Sequence, residues 1–255
     1  MPSDSRPPRG WALVVPVLVT ILVGLGLGGF VVLQDQRENE RIEAADDVGS
    51  QYLTEVSTFR LRVAKSLKSA DADDPAALRT ALDAAIADPP SLPVIDGSAA
   101  KKSSTYAEAQ RVADDLLTPY ETFGEALTKA EGDQRFVKAA QKVLKLRATD
   151  YVDGVLLDSS RQVRGSLIPA FVSARDEFAQ ITVPDGAEEA AELTRAALQE
   201  VIDKATALAD SIDANRSYTF SYGESFQTAS DAVNDYAAEA NGDFTEAVNT
   251  VRDLR

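Results

Sequence analysis

The chain has 255 residues, 44% of them hydrophobic, which is enough for one large domain or two small ones. Its 41 acidic and 26 basic side chains give a net charge of −15. Because so acidic a surface repels phosphate backbones, we expect no binding to nucleic acid. Without Cys or His, the chain can form neither a Ser-His-Asp triad nor the usual zinc, copper or haem site. We therefore expect no catalytic residues, no cofactor and no metal site.

An apolar segment near the amino terminus, residues 11–33, contains no charged side chain. As a helix it would span about 34 Å, enough to cross a hydrocarbon core of roughly 30 Å. Trp11 stands at one boundary, where an amphipathic ring is favoured, and Pro16 is tolerated in a lipid-embedded helix. The sequence therefore predicts a single transmembrane helix, a membrane anchor in lipid from Trp11 to Leu33.

The same segment raises the alternative of a cleaved signal peptide. The apolar region of such a peptide covers about 7–15 residues and is followed by a small-x-small cleavage site. Here the apolar run is longer and ends at Leu33 before polar residues, with no such site. These features favour the anchor over the signal peptide.

The orientation of the anchor is less strongly encoded. Two arginines precede residue 11 and two follow soon after residue 33, so the local balance of basic residues is close to even. A leader of ten residues is more simply retained inside the cell. We expect residues 1–10 to be cytoplasmic, and residues 34–255 to form an acidic extracytoplasmic domain at the plasma membrane.

Two glycines of the anchor, Gly24 and Gly28, form a G-x-x-x-G pair. This spacing lets two membrane helices approach closely, and would support a homodimer through the transmembrane helix. Glycine-rich membrane helices also contain the pair by chance. The alternative, small residues with no partner, stays open.

Beyond the anchor, apolar residues recur at helical spacing, and no segment shows convincing strand alternation. The predicted helices cover residues 36–70, 75–87, 105–131, 133–182, 187–213 and 221–254. The predicted fold class is all-α: a single transmembrane helix followed by an elongated antiparallel helical bundle with coiled-coil-like packing.

Apolar stripes define the inward faces of three of these helices. The first helix carries Ile42, Ala45, Gly49, Tyr52, Val56, Phe59, Val63 and Leu67. The fourth carries the clearest heptad, Val163, Leu167, Phe171, Ala174, Phe178 and Ile181. The last carries Phe226, Ala229, Val233, Tyr236, Ala240, Phe244, Val248 and Val251. We expect these residues to form the core.

Capping patterns mark the starts of four helices. They are Asp74-Pro75, Thr105-x-x-Glu108, Asp185-x-x-Glu188 and Ser221-x-x-Glu224.

Glycine and proline mark breaks in the same pattern. We expect Gly132 to end the third helix, Gly165 and Pro169 to bend the fourth, and Asn241-Gly242 to divide the last. The longest irregular stretch is 88–103, and we expect three of its apolar side chains to pack onto the bundle: Leu92, Val94 and Ile95.

An aromatic segment lies between the last two helices and holds four of the chain's 17 aromatic residues: Tyr218, Phe220, Tyr222 and Phe226. Aromatic side chains at a loop are typical anchors of protein interfaces, so this segment is the candidate interface. The alternative is that they close the end of the bundle.

Charged clusters carry weaker indications. The carboxylates of Asp71, Asp73 and Asp74 could hold calcium, but they lack the glycine and distal glutamate of a calcium loop, and helix capping is favoured. Lys101 and Lys102 form a basic spot that could contact an anionic partner, and chance exposure is the favoured alternative.

These features together favour a non-enzymatic scaffold or accessory interaction subunit, whose partner is another membrane or envelope protein. The first alternative is a ligand-binding or sensor module that works through a partner subunit. A buried polar pocket between helices would favour it. The second is an envelope enzyme that uses a carboxylate pair, which would need two carboxylates converging in a cleft.

Overall fold

The computed structural model describes the backbone of residues 11–95, 97–152 and 160–254, and within these ranges the side chains from residue 37 onward. All elements assigned in those ranges are helical and none is a strand, which confirms the all-α prediction. Among the residues whose side chains are described, no helix is long and apolar enough to cross a membrane. The leader at 1–10 and the side chains of the predicted anchor at 11–33, its glycine pair included, lie outside the described residues.

The helices follow one another with short connections. In chain order they are α1 (Trp11–Ser69), α2 (Pro75–Ile86), α3 (Ser98–Lys102), α4 (Ser104–Asp115), α5 (Thr118–Leu144), α6 (Ser160–Gln162), α7 (Ile168–Ala179), α8 (Glu188–Asp213) and α9 (Gly223–Arg252). A 3₁₀ turn, Ala148–Asp150, follows α5, and a π-helical turn, Val163–Leu167, joins α6 to α7.

The chain divides into two compact units. Unit 1 contains residues 1–60 and 88–117, and unit 2 contains residues 61–87 and 118–255. The boundary within the first helix falls after Arg60, so α1 contributes residues to both units.

Unit 1 brings the buried stripe of α1 onto the first turns of α4. Tyr52, Val56 and Phe59 of the stripe are buried, as predicted. A Cβ built at Gly49 would lie 2.9 Å from the backbone of Thr105 and Tyr106, closer than packed atoms approach. Glycine is therefore what allows the two helices to meet there.

The start of α4 differs from the prediction because a residue from another helix takes part. Ser103, not Thr105, is the N-cap, and its hydroxyl accepts from the N–H of Tyr106 at 2.9 Å. Ser103 also donates to Asp46 of α1 at 2.5 Å, and Thr105 bonds the same carboxylate. The predicted capping box at Thr105 and Glu108 is wrong, since Thr105 is engaged by α1.

The irregular stretch before α4 is held by a tyrosine rather than by its own apolar side chains. Val94 is 86% exposed, so its predicted packing is wrong, whereas Leu92 and Ile95 are partly buried. The hydroxyl of Tyr106 donates to the carbonyl of Pro93 at 2.8 Å and accepts from the N–H of Ile95 at 3.0 Å. Because these bonds satisfy the loop backbone, Val94 can point to solvent.

Unit 2 is built on contacts among α5, α7, α8 and α9, and α2 packs against α5. The complete predicted stripe of α9 is buried. The core combines aromatic and aliphatic side chains with many alanines, and its most buried large members include Phe136, Phe171, Phe178, Leu167 and Leu198. Small alanines let helices pack closely, so the aromatic rings fill the remaining space.

Helix ends in this part of the chain follow backbone chemistry more than glycine content. The helix predicted at 105–131 is two helices, because Pro119 lies in the first turn of α5, where its missing N–H costs nothing. Gly132 does not end α5, and Gly242 does not divide α9. A glycine inside a helix costs only about 1 kcal/mol relative to alanine. Burial of the apolar face of α5 or of α9 contributes more stability than that.

The helix predicted at 133–182 is also interrupted. In the described residues, α5 ends at Leu144 and the next α-helix begins at Ser160, with the 3₁₀ turn between them. The heptad from Val163 to Phe178 is buried as predicted, with Ile181 partly buried.

The predicted bend at Gly165 and Pro169 takes the form of the π turn, in which the N–H of Ile168 donates to the carbonyl of Val163. Pro169 has no N–H to give to the carbonyl of Gly165, so the normal α-helical bond cannot form there. A step of four residues over-rotates an α-helix by about 40°. The wider turn offsets this rotation, so Val163 and Leu167 stay on the core side.

Among the predicted caps, the one at Asp74 is confirmed. Its carboxylate accepts from the N–H groups of Ala76 and Ala77 at 3.0 and 3.2 Å. The boxes at Asp185 and Ser221 are wrong, because α8 and α9 have Ala187 and Tyr222 as N-caps without a side-chain bond. Packing decides these two starts: Ala187 is fully buried, and Tyr222 belongs to an aromatic cluster.

Candidate functional site

The aromatic segment before α9 makes extensive contacts within unit 2. The ring centroids of Phe220 and Tyr222 are 5.3 Å apart, and those of Tyr222 and Phe226 are 5.2 Å apart. The Tyr222 hydroxyl accepts from the N–H of Ala148 at 2.8 Å, and Phe226 is buried. These three residues have the contacts that closure of the bundle requires. Tyr218 is 39% exposed, so the predicted interface has its most accessible member there.

A second feature of unit 2 was not predicted. An open cavity of about 790 Å³ lies between α5 and the turn that joins α7 to α8. We call it the α5 groove, and its lining residues are Glu125, Thr128, Lys129, Gly132, Asp133, Arg135, Gln180, Ile181, Thr182, Val183, Pro184 and Asp185. Its volume lies within the range of about 300–1,000 Å³ that is typical of small-molecule sites.

The lining of the α5 groove includes a buried carboxylate. Asp133 is 4% exposed and is the one charged side chain in the buried class among the described residues. Its Oδ1 atom accepts from the hydroxyl of Tyr236 at 2.7 Å. Burial, together with the hydrogen bond to Asp133, raises the pKa of Tyr236. The phenol therefore stays protonated at physiological pH and remains a hydrogen-bond donor.

Two cations line the groove, and each has a partner elsewhere. The Nζ atom of Lys129 lies 2.9 Å from a carboxylate oxygen of Asp243 on α9, and this bond raises the pKa of Lys129. The Nε atom of Arg135 donates to the carbonyl of Glu131 at 3.2 Å. Both partners of the Lys129 pair are about half exposed, so the pair contributes little stability.

The rest of the lining combines negative charge with apolar surface. Glu125 and Asp185 add carboxylates, and the turn contributes three partly exposed apolar side chains, Ile181, Val183 and Pro184. Gly132 lies in the middle of the α5 wall, and a Cβ built there meets no atom within 4 Å. The groove is therefore open beside its buried carboxylate.

Unit 1 contains a polar cluster between α1 and α3. Glu38 of α1 accepts from Lys102 at 2.6 Å and from Ser98 at 3.3 Å. Lys101 and Lys102 are exposed as the sequence predicts, and Lys102 also pairs within unit 1. The hydrogen bond from Lys102 lowers the pKa of the Glu38 carboxyl. This cluster fixes α3 against α1.

No group of three or more carboxylates in the described ranges is arranged to hold a metal ion. In the acidic run before α2, Asp71 accepts from the N–H of Asp73 at 3.1 Å, and Asp74 caps the helix. These bonds accord with the capping interpretation.

No protein-family model, curated protein or solved structure matches this chain.

The sequence pointed to the aromatic segment and missed the α5 groove. The aromatic segment is visible as a dense run of rings. The α5 groove is formed by residues of α5 and of the α7–α8 turn, and its buried carboxylate, Asp133, is bonded by Tyr236, 103 positions away. The local feature that could have drawn attention was Gly132, an unexplained glycine inside a helix.

Proposed function

We propose that this chain is a single-pass membrane protein of the cell envelope, with its helical domain outside the cytoplasm. The domain acts as a non-enzymatic scaffold or accessory interaction subunit for another membrane or envelope protein. The observation that carries the proposal is the run of 23 uncharged residues, 11–33, which is long enough to span a bilayer. Because α1 extends from Trp11 to Ser69, an anchor there would connect to the domain through one helix.

The helical packing is consistent with an interaction role. We propose that the helices of unit 2 form an antiparallel bundle with coiled-coil-like packing. The buried residues of α9 from Phe226 to Val251 follow steps of three and four, which supports this arrangement. Bundles of this kind present long helical surfaces to a partner.

The anchor and its orientation are tested by fractionation and protease treatment of cells that express the chain. We expect the protein in the membrane fraction, resistant to extraction by salt or alkali. We also expect protease added to intact cells to digest residues beyond about 34. A freely released protein with a new amino terminus would contradict the anchor, and a protected domain would contradict the orientation.

The interaction role is tested by photo-crosslinking from position 219, an exposed neighbour of Tyr218, in intact cells. We expect one stoichiometric protein partner, whose capture falls when Tyr218→Ala is introduced while the unfolding midpoint stays unchanged. Leu61→Ala is the matched control, because Leu61 is an exposed large apolar residue of the same unit. Equal loss with both variants, or capture unaffected by Tyr218→Ala, would remove the aromatic segment as the interface.

The α5 groove favours a second candidate, a ligand-binding module that works through a partner subunit. The specific observation is the buried Asp133 in the lining of a cavity of ligand size.

A further inference from the structure

We propose that the α5 groove binds a small organic cation that carries a primary amine. The ammonium group would sit on the carboxylate of Asp133, and the apolar part of the molecule would lie against the α7–α8 turn. This inference develops the second candidate function and does not depend on the membrane anchor.

The unfilled bonding capacity of Asp133 is the first step. A carboxylate offers about four acceptor positions, and in the described structure one is taken by the Tyr236 hydroxyl. A buried charge is unfavourable unless it is paired. No lysine or arginine of the described residues forms a direct ion pair with Asp133: Lys129 is paired with Asp243 and feels the charge of Asp133 only at longer range, and Arg135 bonds a backbone carbonyl. A ligand cation would supply the missing partner.

The second step is the opening beside this carboxylate. Gly132 lies inside α5, where glycine weakens a helix relative to alanine. Neither usual reason for a helical glycine applies, since its φ is not positive and a Cβ would meet nothing within 4 Å. At Gly49 the contrast is clear, because there a neighbouring backbone fills the space. The absent side chain at Gly132 leaves room in the wall of the same groove that Asp133 lines.

Charge and polarity select the class of ligand. The carboxylates of Glu125, Asp133 and Asp185 outnumber the cations of the lining, and Lys129 already shares its charge with Asp243. The groove therefore favours a cation over an anion. The apolar surface of the turn, with Ile181, Val183 and Pro184, suits a hydrocarbon or aromatic body attached to the amine.

The test uses the full chain in detergent micelles and isothermal titration calorimetry with two amines, phenethylamine and cadaverine. The neutral 2-phenylethanol has the same body as phenethylamine without the charge. We expect saturable binding of at least one amine, and binding of the alcohol at least tenfold weaker. Absence of saturable binding of both amines at millimolar concentration, or equal binding of the alcohol, would overturn the proposal.

Gly132→Leu is the decisive variant, because a leucine fills the groove and also favours the helix. We expect it to reduce amine binding at least tenfold without lowering the unfolding midpoint. Gly242→Leu is the matched control, since Gly242 is also a helical glycine with open space around its Cβ position, but it does not line the groove. It should leave amine binding within twofold of wild type. Heat from partition of the amines into micelles should be the same in both variants, so this variant also controls for partition. Equal effects of the two variants would place the bound amine elsewhere.

Asp133→Asn addresses the counterion directly. The amide keeps the shape of the side chain and its bond to Tyr236 but removes the charge. We expect loss of amine binding and retention of whatever weak binding the alcohol shows. Unchanged amine binding would overturn the proposal. None of these outcomes alters membrane fractionation or partner capture, so failure here is separable from failure of the scaffold.

Discussion

Gly49 and Asp46 determine how α4 meets α1 in unit 1, whereas in unit 2 a cluster of rings and alanines fills the space between four helices. The first arrangement depends on a backbone-to-backbone approach and on hydrogen bonds from Ser103 and Thr105 to one carboxylate. The second depends on the removal of apolar surface from water. Substitutions should therefore act on the two units through different mechanisms.

Because of this difference, the two units should differ in their tolerance of enlarged and of truncated side chains. A contact that has no room for a methyl group fails when a side chain is enlarged. A large apolar core fails when a side chain is truncated and a cavity remains. Unit 1 is thus expected to be most sensitive to additions, and unit 2 to deletions.

The largest effect is expected for Phe136→Ala in unit 2. Phe136 is fully buried, and its ring centroid lies 5.9 Å from that of Phe178 and 5.6 Å from that of Tyr236. Truncation should lower the free energy of unfolding by about 3–5 kcal/mol, through lost burial and a cavity. Urea unfolding followed by circular dichroism measures the change. A loss below about 1 kcal/mol would show that this core does not carry the stability of unit 2.

The next effect is expected for Gly49→Ala in unit 1. The added methyl group would collide with the backbone at Thr105, which should cost about 1–3 kcal/mol. Hydrogen exchange should rise in α4 and stay unchanged in α8. Gly132→Ala is the control, because the same change in open space should stabilise its helix by up to about 1 kcal/mol. If both variants stabilised the protein, the close approach in unit 1 would be refuted.

A smaller effect is expected for Tyr236→Phe. Loss of the hydroxyl leaves the buried carboxylate of Asp133 without its donor, at a cost of about 1–2 kcal/mol. A double-mutant cycle with Asp133→Ala measures the coupling, and the second substitution should cost less once the first is present. Additive effects would show that the two side chains do not stabilise each other.

The smallest effect concerns acid. Hydrogen bonds from Ser103 and Thr105 lower the pKa of Asp46 in the folded protein. A carboxylate with a lowered folded pKa contributes stability above the unfolded value of about 3.9, and that stability is lost as the pH falls through the folded value. Asp46→Asn should therefore flatten the acid dependence of hydrogen exchange in α4 below about pH 4. A variant with the same dependence as wild type would contradict this role.

Several features of the fold follow from the sequence because they depend on neighbours in the chain. Every predicted inward residue of α9 is buried, since helical spacing alone places them on one face. The cap at Asp74 formed as predicted, since its donors are two and three residues away. Such local relations do not require knowledge of the tertiary structure.

Other features depend on residues that are distant in sequence, and there the predictions failed. The sequence pattern predicts Thr105 as part of a cap, but Asp46, from a different helix, bonds it. The buried carboxylate in the lining of the α5 groove, Asp133, is bonded by Tyr236 from another helix. The exposure of Val94 follows from a tyrosine hydroxyl that holds the loop backbone. Only the folded arrangement brings these partners together.

The π turn at Val163–Leu167 bears on how the gene can change in length. Removal of one codon inside an α-helix rotates everything beyond it by about 100° and turns a buried face outward. Within this turn, the surplus residue is already accommodated, so a one-residue deletion could relax into an α-helix that lacks only the backbone bond Pro169 cannot donate, with Val163 and Phe171 still buried. A scan of single-residue deletions, measured by thermal unfolding, should find that deletions within this turn lower the unfolding midpoint less than deletions elsewhere in the helices. An equal loss at all helical positions would contradict the idea that the turn accommodates a surplus residue.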